Sequence, residues 1–445
     1  MKISLSEHFG YSKLLRFTLP SIAMMIFTSI YSVVDGYFVS NFAGKAEFTA
    51  VNLIMPYLMI LGAVGFMFGA GGSALVAKRL GEGNKSGARS LFSLVVYTTA
   101  ALGTVFAAVG IIFIKPVAVL LGAEGEMIEL CARYGTKILI ALPFFMLQME
   151  FQTFMIAAER PKLGFVITLL SGILNIILDA ALVAGLGLGL DGAAVATALS
   201  QTLGGLLPLV FFVFTRRGDL RLGSAKFEPR ALLKVCTNGS SELLGNISMS
   251  VVGMLYNIQL LKYAGEDGVA AYGVLMYVGF VFCSIFIGYS VGVAPVLSFH
   301  FGAGNKSELR GILLKSLVLV SSASVLMVLS SLALANPLSE LFVGYDRALF
   351  DLTVNAFFIY SFSFLFCGFA IYFSSFFTAL NDGLTSALIS FLRTLVFQVA
   401  FIFILPLLFD IDGIWYSLTA AELASVGVGV VFLVLKSKRY GYFGT

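Results

Sequence analysis

Gly81-Glu82-Gly83-Asn84-Lys85-Ser86 returns 221 positions later as Gly302-Ala303-Gly304-Asn305-Lys306-Ser307, in a chain of 445 residues. The echo marks the chain as two copies of one unit. Held at the same offset with no gap, Ala50 meets Ala271, Gly71 meets Gly292, Arg89 meets Arg310, Pro116 meets Pro337, Ala158 meets Ala379, and Asp191-Gly192 meets Asp412-Gly413. The repeat therefore spans most of both halves.

The copies are built for a bilayer. Hydrophobic residues make up 59% of the chain and charged residues 12%, about half the usual share of ~25% in soluble proteins, with a mean hydropathy of +0.98. A spanning helix needs about 20 apolar residues, and the chain offers a series of such stretches rather than short alternating strands, so helices are expected and a barrel is not. Twelve spans are read, at about 15–39, 48–77, 91–114, 131–157, 163–186, 193–214, 234–261, 269–299, 312–335, 350–379, 384–409 and 413–435. The fold class is thus an all-α polytopic membrane protein of two six-helix lobes, 1–214 and 234–445, joined by a polar linker at 215–233. That linker carries Arg216, Arg217, Asp219, Arg221, Lys226, Glu228 and Arg230. An even number of helices per copy brings the second copy in with the orientation of the first, so the lobes relate by a pseudo-twofold axis along the membrane normal.

Most of the 28 basic residues fall on one side if the N-terminus is cytoplasmic, so both termini are expected inside, in the cytoplasmic membrane of a prokaryote. The first apolar stretch is too long for a cleavable signal, carries Pro20 and Asp35, and is expected to remain as a span. The net charge of +4 sits in these loops, where it suits an anionic leaflet rather than a nucleic acid. Cys131, Cys236, Cys283 and Cys367 lie on different helices, with neither metal-ligand spacing nor a disulfide framework, and read as small buried residues. The duplicated motif does not match a nucleotide P-loop, because an Asn separates Gly from Lys and no strand precedes it. It reads as a tight turn, with Lys85, Arg89, Lys306 and Arg310 at the headgroups.

Asp35, Glu150, Asp179, Glu242, Glu422 and Arg393 fall inside spans. A charge at mid-bilayer costs about 2.5–3.5 kcal/mol on insertion scales, so such residues mark ion paths or interior pairs. In the repeat register, Asp35, Asn175, Asp179 and Thr197 face Tyr256, Val396, Ala400 and Leu418, so one lobe keeps a polar cluster that the other lacks. Asn175 and Asp179 are four apart and share a helix face. Asp35, Asp179 and Thr197 all lie in the outer half of the membrane by their depth along the helices. Two carboxylates, an amide oxygen and a hydroxyl form an all-oxygen set suited to a hard cation or a shared proton, with coupled titrations. Arg393 and Glu242 have similar depth in one lobe and read as a buried ion pair or a substrate contact. Glu150 competes for Arg393 across the cleft, and Glu422 has no evident partner. Aromatic and methionine clusters such as Met24-Met25, Phe144-Phe145-Met146 and Tyr256 are suited to flat lipophilic cations in a cleft between lobes.

Leu19-Pro20-Ser21 opening the first helix, Val33-Val34-Asp35-Gly36-Tyr37-Phe38-Val39 closing it, Ala50-Val51-Asn52 with Pro56, and Leu80-Gly81-Glu82-Gly83-Asn84 carry a family likeness over essentially the whole chain. The chain resembles the multidrug and toxic compound extrusion (MATE) transporters. The resemblance implies twelve helices in two lobes and exchange of Na⁺ or H⁺ for organic cations. It implies a cation or proton site in the N-terminal lobe at Asp35, Asn175, Asp179 and Thr197, and a conformational hinge at Pro20. Other members carry cation-binding carboxylates on the seventh and tenth helices. Here Glu242 is on the seventh, but the tenth has only Asp351 at its mouth, which weakens the case for a second site.

The expected function is secondary antiport of lipophilic, often cationic compounds by alternating access, driven by H⁺ or Na⁺ and needing no cofactor. The expected partners are small molecules and membrane lipids, with a monomer sufficing and no nucleic acid bound. A lipid-linked oligosaccharide flippase of the same superfamily is the alternative, and it requires a cationic cleft. A membrane enzyme is disfavoured because His8 and His300 lie outside the spans without paired metal ligands. A passive channel is a third possibility, against which the duplicated architecture is a weak argument, and uphill substrate movement driven by a Na⁺ or H⁺ gradient would exclude it.

Overall fold

The computed structural model describes residues 3–215 and 218–443, with the side chain of Lys45 left aside. Arg216 and Arg217 of the expected linker lie outside the described residues. Among the described residues the regular secondary structure is all helical, with eleven segments long and apolar enough to cross a membrane. One of them, Pro229–Gly302, has 74 residues, about 110 Å of helix at 1.5 Å per residue and far more than a bilayer of ~30 Å requires. It breaks at Gly265, whose φ of 63° and ψ of −150° lie outside helical space. The segment Pro406–Tyr440 likewise breaks at Phe409 and Asp410 (φ 49°, ψ −132°), so the spans are twelve: α1 Tyr11–Ala43, α2 Lys45–Gly81, α3 Lys85–Leu120, α4 Glu126–Ala157, α5 Pro161–Gly185, α6 Gly189–Phe214, α7 (229–264), α8 (266–302), α9 Lys306–Val343, α10 Arg347–Ala379, α11 Gly383–Ile404 and α12 (411–440). The helix that begins at Pro229 starts inside the polar stretch assigned to the linker.

The duplicated motif is the turn between α2 and α3 and again between α8 and α9. Gly83 (φ 78°) and Gly304 (φ 68°) take the left-handed conformation that ends the first helix. One residue on, a side chain caps the next helix: Asn84 Oδ1 accepts from the Gly87 amide at 2.9 Å, and Asn305 Oδ1 accepts from the Glu308 amide at 3.0 Å. Lys85 and Arg89 do not sit free at the headgroups. Lys85 pairs with Asp219 at 3.0 Å and Arg89 donates to the Asp219 carbonyl at 2.8 Å, because the linker folds back over the start of α3. Arg79 meanwhile reaches Glu228 at 2.7 Å, which holds that carboxyl below its ordinary value.

The first glycine of each motif does something the turn does not require. A Cβ added at Gly81 would land on the Phe299 carbonyl oxygen, and one at Gly302 on that of Lys78. These contacts are images of each other in the repeat register. Higher up, a Cβ at Gly71 of α2 would strike the Val235 carbonyl of α7 and one at Gly239 the Met67 carbonyl of α2, while Gly292 of α8 lies against Thr18 of α1. Thr18 and Gly239 are again register partners. The two lobes thus close main chain to main chain on the linker side, as small residues allow helices to do in lipid. Gly71→Leu is expected to hold the lobes apart at that end. Spin labels at positions 82 and 303 of a cysteine-free background would report a longer separation, and an unchanged distance would remove Gly71 from the seal.

Candidate functional site

The α1 and α5 helices each end in π-helical turns, Val39–Ala43 and Asp179–Gly185, a local widening that re-aims side chains and recurs at functional sites. Asp179 opens the second of these turns. Asp35 on α1 receives a hydrogen bond from the Thr197 hydroxyl of α6 at 3.4 Å and lies against Asp179 and Asn175 of α5. The structure thus brings the four residues singled out by the broken repeat into one group. Asp179 and Asn175 are buried, and apart from their approach to Asp35 the carboxylate oxygens of Asp179 and the polar atoms of the Asn175 amide find no hydrogen-bond partner among the described residues. Such groups are costly unless a proton, ion or water satisfies them. Sequence reasoning missed Tyr134 of α4, a buried residue whose hydroxyl lies beside Thr197 and faces both carboxylates. The register offered no signal for it, because its partner Asn355 is polar too and binds Asp412 instead at 2.9 Å.

In the second lobe the same place is neutral. Tyr256, the register partner of Asp35, is buried, stacks on Tyr272 at 5.1 Å and bonds Ser417 at 2.8 Å. A tyrosine–serine contact between α7 and α12 thus takes the place of the aspartate–threonine contact between α1 and α6.

A cavity of about 450 Å³ lies between the lobes. Met25, Met59, Phe66, Phe145, Tyr256 and Tyr360 contribute to an apolar and aromatic lining, while Met24, Phe144 and Met146 are not on its wall. Glu242, Arg393 and Glu422 add charge to it. Neither Asp35 nor Asp179 lines this cavity, so the acidic cluster is a separate locus inside the first lobe.

The ion pairing differs from the sequence expectation. Arg393 does not pair with Glu242, and Glu150 does not compete for it. Arg393 Nε donates to both Glu422 oxygens at 3.0 and 2.8 Å, and Nη2 donates to Oε1 at 2.8 Å, a forked contact between neighbouring α11 and α12. A π-helical turn, Leu392–Phe397, presents the arginine. Glu242 lies on the cavity wall, within the field of Arg393, with no side-chain hydrogen bond among the described residues. Glu150 is fully buried and off the cavity wall, and apart from the neighbouring Thr99 its two oxygens have no partner among the described residues. Pro20 lies inside α1, which stays helical through it. The cysteines are not all apart either. Cys283 of α8 and Cys367 of α10 bring their sulfurs to 3.3 Å, because those helices pack together and both positions face the cavity.

Two like-oriented six-helix lobes around a shared cavity, with carboxylates inside one lobe, define a multi-pass membrane transporter. The chain belongs to the MatE family, whose model matches residues 20–181 and again 243–404, once in each lobe. Multidrug export protein MepA of Staphylococcus aureus (strain MRSA252) is 25% identical over 432 residues, covering 96% of this chain and 94% of that protein. The protein of the same name from Staphylococcus haemolyticus (strain JCSC1435) is 26% identical over 417 residues, covering 93% and 90%. Among solved structures, a MATE in complex with MaL6 superposes with a TM-score of 0.93 at 21% identity, covering 99% of this chain and 98% of the other. The outward-facing conformation of a multidrug resistance MATE family transporter of the MOP superfamily gives 0.92 at 22% identity, with the same coverages.

Proposed function

We propose that this protein is a secondary antiporter that exports lipophilic, often cationic compounds in exchange for H⁺ or Na⁺ by alternating access. The charge of the cavity carries the reading. Among the described residues on its wall, Arg393 is the sole basic group and is paired with Glu422, which leaves the Glu242 carboxyl without a basic partner among methionines, tyrosines and phenylalanines. Such a wall attracts a flat cation through charge, dispersion and ring quadrupoles. It repels a pyrophosphate, which weighs against the flippase. The names of the staphylococcal relatives point the same way.

Asp35, Asn175, Asp179 and Thr197 hold the coupling cation or proton, with Tyr134 beside them. The donors present are oxygens, which fits Na⁺ as well as a shared proton. Because this cluster and the cavity are separate, coupling operates through the equilibrium between conformations, with Pro20 as the hinge in α1. The face carrying the linker and both termini is the cytoplasmic one, and a lipid-embedded monomer suffices. Reconstituted vesicles loaded with a lipophilic cationic dye test the reading. A pH or Na⁺ gradient, imposed separately, is expected to drive dye uphill; movement only down the dye's own gradient overturns antiport.

A further inference from the structure

Cys283 and Cys367 take no part in the transport reading, yet they form a pair on the cavity wall. Their sulfurs are 3.3 Å apart, both cysteines are unbridged, and Cys367 Sγ also accepts a hydrogen bond from Arg393 Nη2 at 3.5 Å. The spacing selects among thiophilic ligands. A tetrahedral metal with bonds of about 2.3 Å separates two sulfurs by roughly 3.8 Å, and a linear one by about 4.6 Å. A pyramidal centre with bonds of similar length and angles near 90° separates them by about 3.3 Å. Trivalent arsenic has that geometry. The surroundings suit a carbon substituent on the arsenic, because Tyr256, Tyr272 and Tyr360 line the same cavity.

We propose that Cys283 and Cys367 are a dithiol site for monosubstituted trivalent arsenicals, and best for aryl ones. The sulfurs displace the two hydroxides of an aryl-As(OH)₂ in turn. Each forms one As–S bond, and each thiol proton leaves with a hydroxide as water, so two thiols and one arsenical give one aryl-As(SR)₂ bridge and two waters. Arsenic stays trivalent and no oxidant is consumed. A disulfide between the same sulfurs needs an oxidant. The bridge joins α8 to α10 within one lobe, with the aryl group projecting into the cavity. That the adduct then blocks dye export rests on the transport reading; its formation does not.

The test uses the purified, reduced protein and phenylarsine oxide, followed by intact mass measurement. One arsenical per chain is expected, resistant to excess 2-mercaptoethanol and released by 2,3-dimercaptopropanol, since chelation by two sulfurs outlasts exchange with one. It is expected to disappear in Cys283→Ser and Cys367→Ser and to persist in the Cys131→Ser/Cys236→Ser double variant. Proteolysis of the labelled parent keeps the proposal falsifiable should a serine variant misfold: the arsenic must bridge the peptides containing Cys283 and Cys367. No adduct, an adduct stripped by the monothiol, or an adduct mapped to other positions overturns the site.

Discussion

Asp179→Asn is expected to abolish gradient-driven export while leaving dye binding intact, and Asp35→Asn to do the same. Both residues sit in the cluster inside the first lobe and off the cavity wall, so a neutral amide changes the proposed coupling locus without altering the cavity lining. The size of the effect follows from two-state arithmetic. A ligand moves an equilibrium from 1:99 to 99:1 only if it binds one state about 10⁴-fold more tightly, about 5.5 kcal/mol, and an amide that can neither release a proton nor offer an anionic ligand gives up most of such a preference. Dye flux in vesicles under an imposed gradient should fall to that of protein-free liposomes, with equilibrium dye binding in detergent unchanged. Export at the parental rate by well-folded Asp179→Asn would take the cluster out of coupling.

The second large effect concerns stability. Glu422 is buried and Arg393 largely so, with side chains 3% and 18% exposed. Removing one partner of a buried pair strands the other charge and typically costs about 3–5 kcal/mol, whereas replacing both by apolar groups is often neutral. Arg393→Met and Glu422→Leu should each lower the thermal unfolding midpoint in detergent sharply, and the double variant should recover most of the loss. Additive losses in the double variant would show that the two charges stand alone.

The wrong assignment of Arg393 shows what one sequence can and cannot supply. Depth along a helix is legible, since it is a count of residues from the span boundary, and by depth Glu242 was as good a partner as any. Rotation about the helix axis is not legible, and rotation decides the pair: the turn Leu392–Phe397 swings Arg393 onto the adjacent α12, where Glu422 waits. The cluster at Asp35 was legible for a different reason. The internal repeat supplied a built-in comparison, and a difference between two copies of one scaffold exposed Asp35, Asn175, Asp179 and Thr197 without any knowledge of rotation. Tyr134 escaped that comparison because its register partner is also polar. Cys283 and Cys367 are 84 positions apart, and only the packing of α8 on α10 brings them together.

The closed linker side is made from backbone at Gly71, Gly81, Gly239 and Gly302, rather than from bulky side chains lying across an opening. A plug of side chains can be undone by one rotamer flip in nanoseconds, but apposed main chains have no such latch. The barrier to ions therefore fails only when whole helices part. A membrane held under a proton gradient is thereby protected from the brief fluctuations that would make a side-chain gate flicker.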